Sequence, residues 1–255
     1  MSYIKLSKRM HAVVDLVDEK SVADIGCDHA HVAMWLAENG VNKVIAMDVK
    51  QGPLDAAKSN ISANNMEDII SVRLSDGMEA LRDGEVDCAI IAGMGGELIT
   101  QILRKGKKKL EHGIHLILQP QSEIHKVRQF ILQNGYAISV EKMLVEDDKF
   151  YNVMKAVPKS EVYGEEGCGE IYSSLDILYG KRLLDEKNPV LETYLCNERN
   201  KLSSVRSNLE DVYTETAVHR LKEINDKLEV IEAALDIFAC AKGSITDCVE
   251  VRDAL

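Results

Sequence analysis

No stretch of this sequence approaches the roughly 18 uninterrupted apolar residues that a membrane-crossing helix needs. Its first segment, MSYIKLSKRMHAVV, is charged and amphipathic where a secretory leader would be apolar. The six cysteines (Cys27, Cys88, Cys168, Cys196, Cys240 and Cys248) include no Cys-x-x-Cys pair, a scatter that suits reduced thiols in a cytosol. A soluble, cytoplasmic protein is expected. Also missing are the Gly-x-Gly-x-x-Gly turn of a dinucleotide site, the lysine of a phosphate-binding P-loop and the glycine-flanked serine of a hydrolase elbow. No internal repeat is visible.

What is there is a chain of 255 residues, 45% hydrophobic, long enough for one large α/β domain or for a medium domain and a smaller one. Its net charge of −11 argues against uniform nucleic-acid binding, but the charge is uneven. Residues 1–160 carry 20 basic against 22 acidic side chains, and residues 161–255 carry 11 against 20. Inside the first part, RKGKKK (Arg104 to Lys109) puts five positive charges in six residues, and Lys5, Lys8 and Arg9 form a second cluster. Two readings stand for these clusters. They are phosphate contacts, or they are solvated helix ends, where cations favour the dipole.

Apolar runs alternate with helical patterns as far as residue 157. SVADIG, KVIAMD, IISVRLSDG, VDCAIIAG and IHLILQP read as strands, and AHVAMWLAEN, GPLDAAKSNISANN, GGELITQILRKGKK and SEIHKVRQFILQNG as helices. Short apolar strands mostly separated by helices imply a parallel sheet covered on both faces. The last two strands, YAISVEKMLVE and FYNVMKAV, have only DDK between them and should pair antiparallel. A doubly wound, Rossmann-like sheet ending in an antiparallel hairpin is the class I methyltransferase architecture, whereas a dinucleotide dehydrogenase more often continues with parallel crossovers.

After Pro158 the character changes. KSEVYGEEGCGE is glycine- and acid-rich, as a linker would be. Beyond it, Leu191, Leu195, Leu202, Val205, Leu209 and Val212 follow 3/4 spacing, as do Leu221, Ile224, Leu228, Ile231, Leu235 and Phe238. Two helices joined near YTET are expected to fold back on each other as a coiled-coil hairpin. The expected division is 1–157 for an α/β domain and 158–255 for a linker and helical domain.

In a doubly wound sheet, ligands bind outside the carboxyl ends of the strands. That rim would hold GCDHAH, MDVKQG, LSDG and AGMGG in order, and a nucleoside with an amino-acid tail gives each a task. Gly26 lets the backbone turn tightly; Asp48 can accept from two ribose hydroxyls; Asp76 can accept from an adenine amino group. Gly93, Gly95 and Gly96 leave room for a second substrate. Taken singly, an acid at the end of a strand is more often a helix cap or a solvated charge. A polar residue at position 28 suits a cationic ligand such as S-adenosylmethionine better than a pyrophosphate, which wants bare N–H groups. Cys27, His29 and His31 alternate, but that is not a ligand spacing known for zinc, and no second cluster supplies a fourth ligand. No metal is expected.

Together, LSKRM, VADIGCDHAHV, DVKQGPLDAAKSN, RLSDGMEAL, IIAGMGGELI, LQPQ and EDDKFYNV resemble, in order, the bacterial tRNA (adenine-22-N1)-methyltransferases. LYGKRLLDEKNPVLETYL resembles the segment leading into that family's helical C-terminal domain. The resemblance covers nearly the whole chain and implies S-adenosylmethionine as methyl donor, tRNA as partner, and neither DNA nor a membrane. It places Asp24, Gly26, Cys27, Asp28 and His29 on the cofactor turn, with Asp48 and Val49 at the ribose and Ser75, Asp76 and Gly77 at the adenine side. Gly93 falls at the edge of the methyl-transfer site. Arg9 matches a basic position beside that site, and with Lys5, Lys107, Lys108 and Lys109 forms the expected RNA contacts. The chain departs from the family in having His31 for a tyrosine, Val32 and Ala33 for Leu-Pro, and LQPQ for LQPN. If the tyrosine stacks on the target base, His31 must do so with a smaller ring.

N1 of adenine is already nucleophilic, so alignment with the methyl group carries most of the acceleration. Asp28 is the residue expected to stabilise the cation formed or to help remove the N6 proton. The base must first be extruded and stacked on a π face, for which His31 is the candidate. The sequence also allows two alternatives: the same fold acting on another RNA or a small molecule, or a non-catalytic tRNA-binding module.

Overall fold

The computed structural model describes residues 4–164, 169–210 and 212–239. Cys168, Cys240 and Cys248 lie outside these residues, as does part of the expected linker. Seven strands form one sheet: β1 Ser21–Ile25, β2 Lys43–Asp48, β3 Ile70–Leu74, β4 Cys88–Met94, β5 His115–Pro120, β6 Tyr136–Glu146 and β7 Lys149–Pro158. The helices are α1 Lys8–Val14, α2 His31–Glu38, α3 Gln51–Ala63, α4 Gly96–Lys105, α5 Lys107–Leu110, α6 Ile124–Gln133, α7 Lys159–Tyr163, α8 Lys181–Asp185, α9 Pro189–Leu209 and α10 Glu215–Ala239. A π-helical turn spans Asp176–Gly180.

The strand order is β3-β2-β1-β4-β5-β7-β6. β1 to β5 run parallel, because each connection carries the chain back to the starting edge. β7 pairs antiparallel with both β5 and β6, as the short DDK turn demands. Asp147 and Asp148 make that turn with φ of 49° and 58°, a conformation that short polar side chains tolerate best. The central strands are apolar on both faces, with Val22, Ala23, Ile45, Ile90 and Ile117 fully buried. The chain order reverses between β1 and β4, whose ends lie side by side at Ile25 and Ile91. That reversal opens the crevice where a doubly wound sheet takes its ligand.

Three details differ from the pattern reading. The helix expected over residues 95–108 is two, α4 and α5, broken at Gly106, where a Cβ would lie 2.8 Å from Met78 Sδ and 3.2 Å from the Ile102 carbonyl. The first residues form a helix the apolar pattern did not single out, capped by Ser7, whose hydroxyl accepts from Met10 N–H. Residues after Pro158 also continue the first unit, since α7 packs on β6 and β7.

The chain divides into two compact units, residues 1–171 and 172–255. In the second, α9 starts at Pro189, with Asn188 accepting from Val190 and Leu191 N–H. α9 and α10 pack against each other. The seam is buried at Leu191, Leu195, Ile224, Leu228, Ile231 and Phe238. Val205 and Val212, expected in it, are exposed: α9 ends at Leu209, so Val212 falls in the loop beyond it.

Candidate active site

The turn after β1 is built from conformations that cost energy. Gly26 has φ of +78°, and a Cβ there would lie 2.2 Å from Met94 Cε. Asp28 and Ala30 adopt φ of 48° and 60° without being glycine, the strain that clusters where a loop must present its backbone to a ligand. Gly26 and Cys27 N–H donate to the Met47 carbonyl at 2.7 and 2.9 Å, and Ser75 N–H donates to the Asp48 carbonyl at 2.9 Å. The end of β2 is thereby tied to both neighbouring loops, and Asp48 stands between them. Its Oδ1 accepts from Lys50 N–H at 2.9 Å.

Two hollows open on this rim. One, of about 450 Å³, is lined by Lys5, Arg9, Asp24, Gly26, Cys27, Asp28, His29, His31, Gly93 and Gln121, with Leu6, Ser7, Met10, Val32 and Ala92. The other, of about 440 Å³, is lined by Val49, Leu74, Ser75, Asp76, Glu79 and Ala80. Val49 and Leu74 are exposed apolar side chains, an unusual expense of surface unless a flat apolar group covers them. Asp24 is buried, and its Oδ2 has no partner among the described residues. Burial pushes its carboxyl up to about 7; the Ala33 N–H works against this and the nearby Asp48 adds to it. Burial likewise pushes the Cys27 thiol up, so it is no nucleophile at neutral pH.

Most of the residues singled out from sequence meet here, but not all. His29 and His31 are exposed, with ring centroids 5.9 Å apart, and His29 lies 3.7 Å from Asp28. Gly77 is buried with φ of +58°, and a Cβ would approach Ile102 to 2.9 Å; it lets the loop pack on α4. The Ser75 hydroxyl is taken up within the same loop, donating to the Gly77 carbonyl and accepting from Ala80 N–H. Lys107, Lys108 and Lys109 lie on α5, in the connection returning to the start of β5, away from the lining of either hollow. Lys109 pairs with Asp83.

The sequence reading missed two groups. Lys105, one of the run of cations, pairs with Asp76 across 29 residues of chain. Gln119 is fully buried at the end of β5, and its Oε1 accepts from Arg9 Nη1 at 2.7 Å and from Gly93 N–H at 3.0 Å. Arg9 in turn lies over the Tyr151 ring, 5.3 Å from its centroid. The LQPQ and EDDKFYNV motifs had flagged the segments but not the contacts.

A rim carrying Asp24, Asp28, Asp48 and Asp76, with Asp24 Oδ2 buried and without a partner among the described residues, fits a ligand carrying positive charge. Among the described residues no group of three or more His, Cys, Asp or Glu is placed to hold a metal ion. Sheet order, terminal hairpin and rim together define a class I methyltransferase. A family model described as tRNA (adenine(22)-N(1))-methyltransferase matches residues 22–233, and the chain belongs to that family. The Bacillus subtilis tRNA (adenine(22)-N(1))-methyltransferase is 34% identical over 239 residues, covering 92% of this chain and 99% of the relative. Its crystal structure superposes with a TM-score of 0.78 over 91% of this chain and 100% of its own, at 33% identity. A Streptococcus pneumoniae relative described as a putative tRNA (m1A22) methyltransferase, solved with S-adenosyl-L-methionine, is 31% identical. It gives a TM-score of 0.77, with coverage of 91% and 100%. The chain is an S-adenosylmethionine-dependent methyltransferase acting on N1 of adenine 22 of tRNA.

Proposed function

We propose that the reaction is divided among this chain's residues as follows. Asp24, Gly26, Cys27, Asp28 and His29 form the turn that receives the amino-acid end of the cofactor, and Asp48 accepts from its ribose hydroxyls. Val49 and Leu74 cover the adenine ring, while Asp76, backed by Lys105, accepts from its amino group; Ser75 and Gly77 hold that loop in shape. Bound S-adenosylmethionine supplies a methyl group on a sulfonium. Opposite it, Gly93 keeps the floor low enough for a second base to approach. Lys5 and Arg9 face the RNA, Asp28 stabilises the positive charge that develops on the methylated base, and His31 offers it a stacking face.

The observation that carries this reading is the buried Asp24 carboxylate, whose Oδ2 has no partner among the described residues, beside a turn whose Gly26 has a φ of +78° that side chains rarely adopt. Asp48→Ala should weaken cofactor binding by roughly 1–3 kcal/mol, because ribose hydroxyls lose their acceptor. Unchanged calorimetry would remove Asp48 from the site. Mass spectrometry of tRNA digested before and after incubation should find N1-methyladenine only when the protein is present.

The same reading confines the chemistry to the α/β domain foreseen at 1–157, and leaves the helical domain to guide tRNA, in the cytoplasm where tRNA resides. A chain ending at Ile171, which retains α7 against β6 and β7, should keep cofactor affinity and methylate tRNA far more slowly. Full activity in that truncation would take tRNA guidance away from the helices.

A further inference from the structure

We propose that Arg9 is the fixed stacking face for the target adenine, and that Gln119 is the positioning residue that locks this face to the Gly93 turn. The inference rests on the activity established above and concerns the acceptor end of the site, not the cofactor end. Because N1 of adenine needs no base to make it nucleophilic, the acceptor end must be judged on how rigidly it presents the ring. A misplacement of about 1 Å is enough to cost about a hundredfold in rate.

Arg9 meets that requirement. Its Cζ lies over the Tyr151 ring, 5.3 Å from the centroid. Its Nη1 donates to Gln119 Oε1 at 2.7 Å, and the same nitrogen stands 3.5 Å from where a Cβ on Gly93 would be. Arg9 also lines the hollow on this rim, so its guanidinium is within reach of a base that enters it. Planar guanidinium groups stack on unpaired RNA bases much as aromatic rings do. His31, exposed at the mouth of the same hollow, is placed for the opposite face of the base.

Gln119 is what makes Arg9 rigid. Its side chain is fully buried, and its Oε1 also accepts from Gly93 N–H at 3.0 Å, while Nε2 donates to the Pro120 carbonyl at 3.2 Å. Both partners facing Oε1 are donors, so the amide has one orientation. One oxygen thus joins a residue near the chain start to the turn at the end of β4. The charge of Arg9 has a second consequence. The adenine arrives neutral and leaves as a cation, because the nitrogen lone pair becomes the new N–C bond. A guanidinium beside it repels the cationic product and, in part, the transition state that leads to it, so the rate gain assigned to Arg9 comes from holding the ring in line and not from its charge.

The test compares Arg9→Lys with Arg9→Ala in the full-length protein. Both should lower the single-turnover methylation rate by about tenfold or more, with cofactor affinity and the salt dependence of tRNA binding unchanged. Wild-type protein should bind unmethylated tRNA more tightly than tRNA carrying N1-methyladenine 22, and Arg9→Ala should lose that preference. Gln119→Leu should reproduce the rate loss without loss of tRNA affinity. If Arg9 is instead a phosphate contact, Arg9→Lys will behave as wild type and Arg9→Ala will reduce the salt slope by about one. Either result overturns the proposal, as does an unchanged product preference in Arg9→Ala. Should Gln119→Leu fail to fold, the Arg9 pair decides the matter alone.

Discussion

The two edges of the parallel sheet are both rich in charge, yet they use it in opposite ways. At the edge where the strands start, Lys155, Glu19, His115 and Glu85 all have ionic partners. Lys155 Nζ donates to Glu19 at 2.8 Å and to Asp18 at 2.9 Å, and the His115 ring reaches Glu19 at 2.5 Å and Glu161 at 2.8 Å. Glu85 is held by Arg73 and Arg82. At the edge where the strands end, Asp24 is buried with an oxygen unpartnered, Gly26 and Gly93 take positive φ, and exposed Val49 and Leu74 flank a hollow. Matched charge holds the fold together; unmatched charge costs stability and is kept for a ligand.

The largest effect is expected at Lys155. This side chain is 8% exposed, and removing it takes the lysine charge from the Glu19 carboxylate, leaving it the His115 ring and the Asp18 N–H. Lys155→Ala should destabilise the protein by about 3 kcal/mol, seen as a lower midpoint in urea, while cofactor affinity at a temperature where it remains folded stays the same. Burial raises the Glu19 carboxyl, but hydrogen bonds from Lys155 and His115 outweigh it and hold the group below its ordinary 4.5. Its stabilisation is therefore present above that value and is lost as pH falls through the lower folded pKa.

Asp24 should show the reverse. Its folded pKa of about 7 lies above the ordinary 3.8, so the folded chain holds the proton more tightly than the unfolded one. Stability from this group is full below 3.8 and drains away as pH rises to about 7. Asp24→Asn removes the titration. Between pH 4 and 7 the wild-type melting temperature should fall relative to the variant, by the equivalent of a few kcal/mol at most, while the variant binds cofactor more weakly. A variant less stable than wild type at pH 7 would mean that Asp24 is a structural acid with a partner of its own.

This division explains which parts of the molecule could be read in advance. Strands such as KVIAMD and IHLILQP announce themselves because both faces are buried, and the four rim loops follow from strand order alone. The antiparallel end of the sheet was legible in the three residues of DDK. Contacts between distant segments were not. Arg9 and Gln119 are 110 residues apart, and His115 and Glu19 are 96; no local pattern reports such a pair. The run RKGKKK shows the limit most plainly. As a string it is one patch, but Gly106 breaks it: Lys105 ends α4 against Asp76, and Lys107 to Lys109 turn away on α5.

That split sets the smallest expected effect. Lys107 and Lys108 are exposed and Lys109 is paired with Asp83, all in the connection leading to the start of β5, beside the edge where charges are matched. Exposed ion pairs contribute little to stability, so replacing the three lysines with alanine should shift the melting temperature only slightly. If RNA meets only the rim, tRNA affinity will fall little, and the slope of log affinity against log salt will stay within about one unit of wild type. Three lost phosphate contacts would instead flatten that slope by about 2.7, at about 0.9 per contact on double-helical backbone. A change that large would carry the tRNA round to the starting edge of the sheet, and the contrast between a matched edge for folding and an open edge for substrate would fail there.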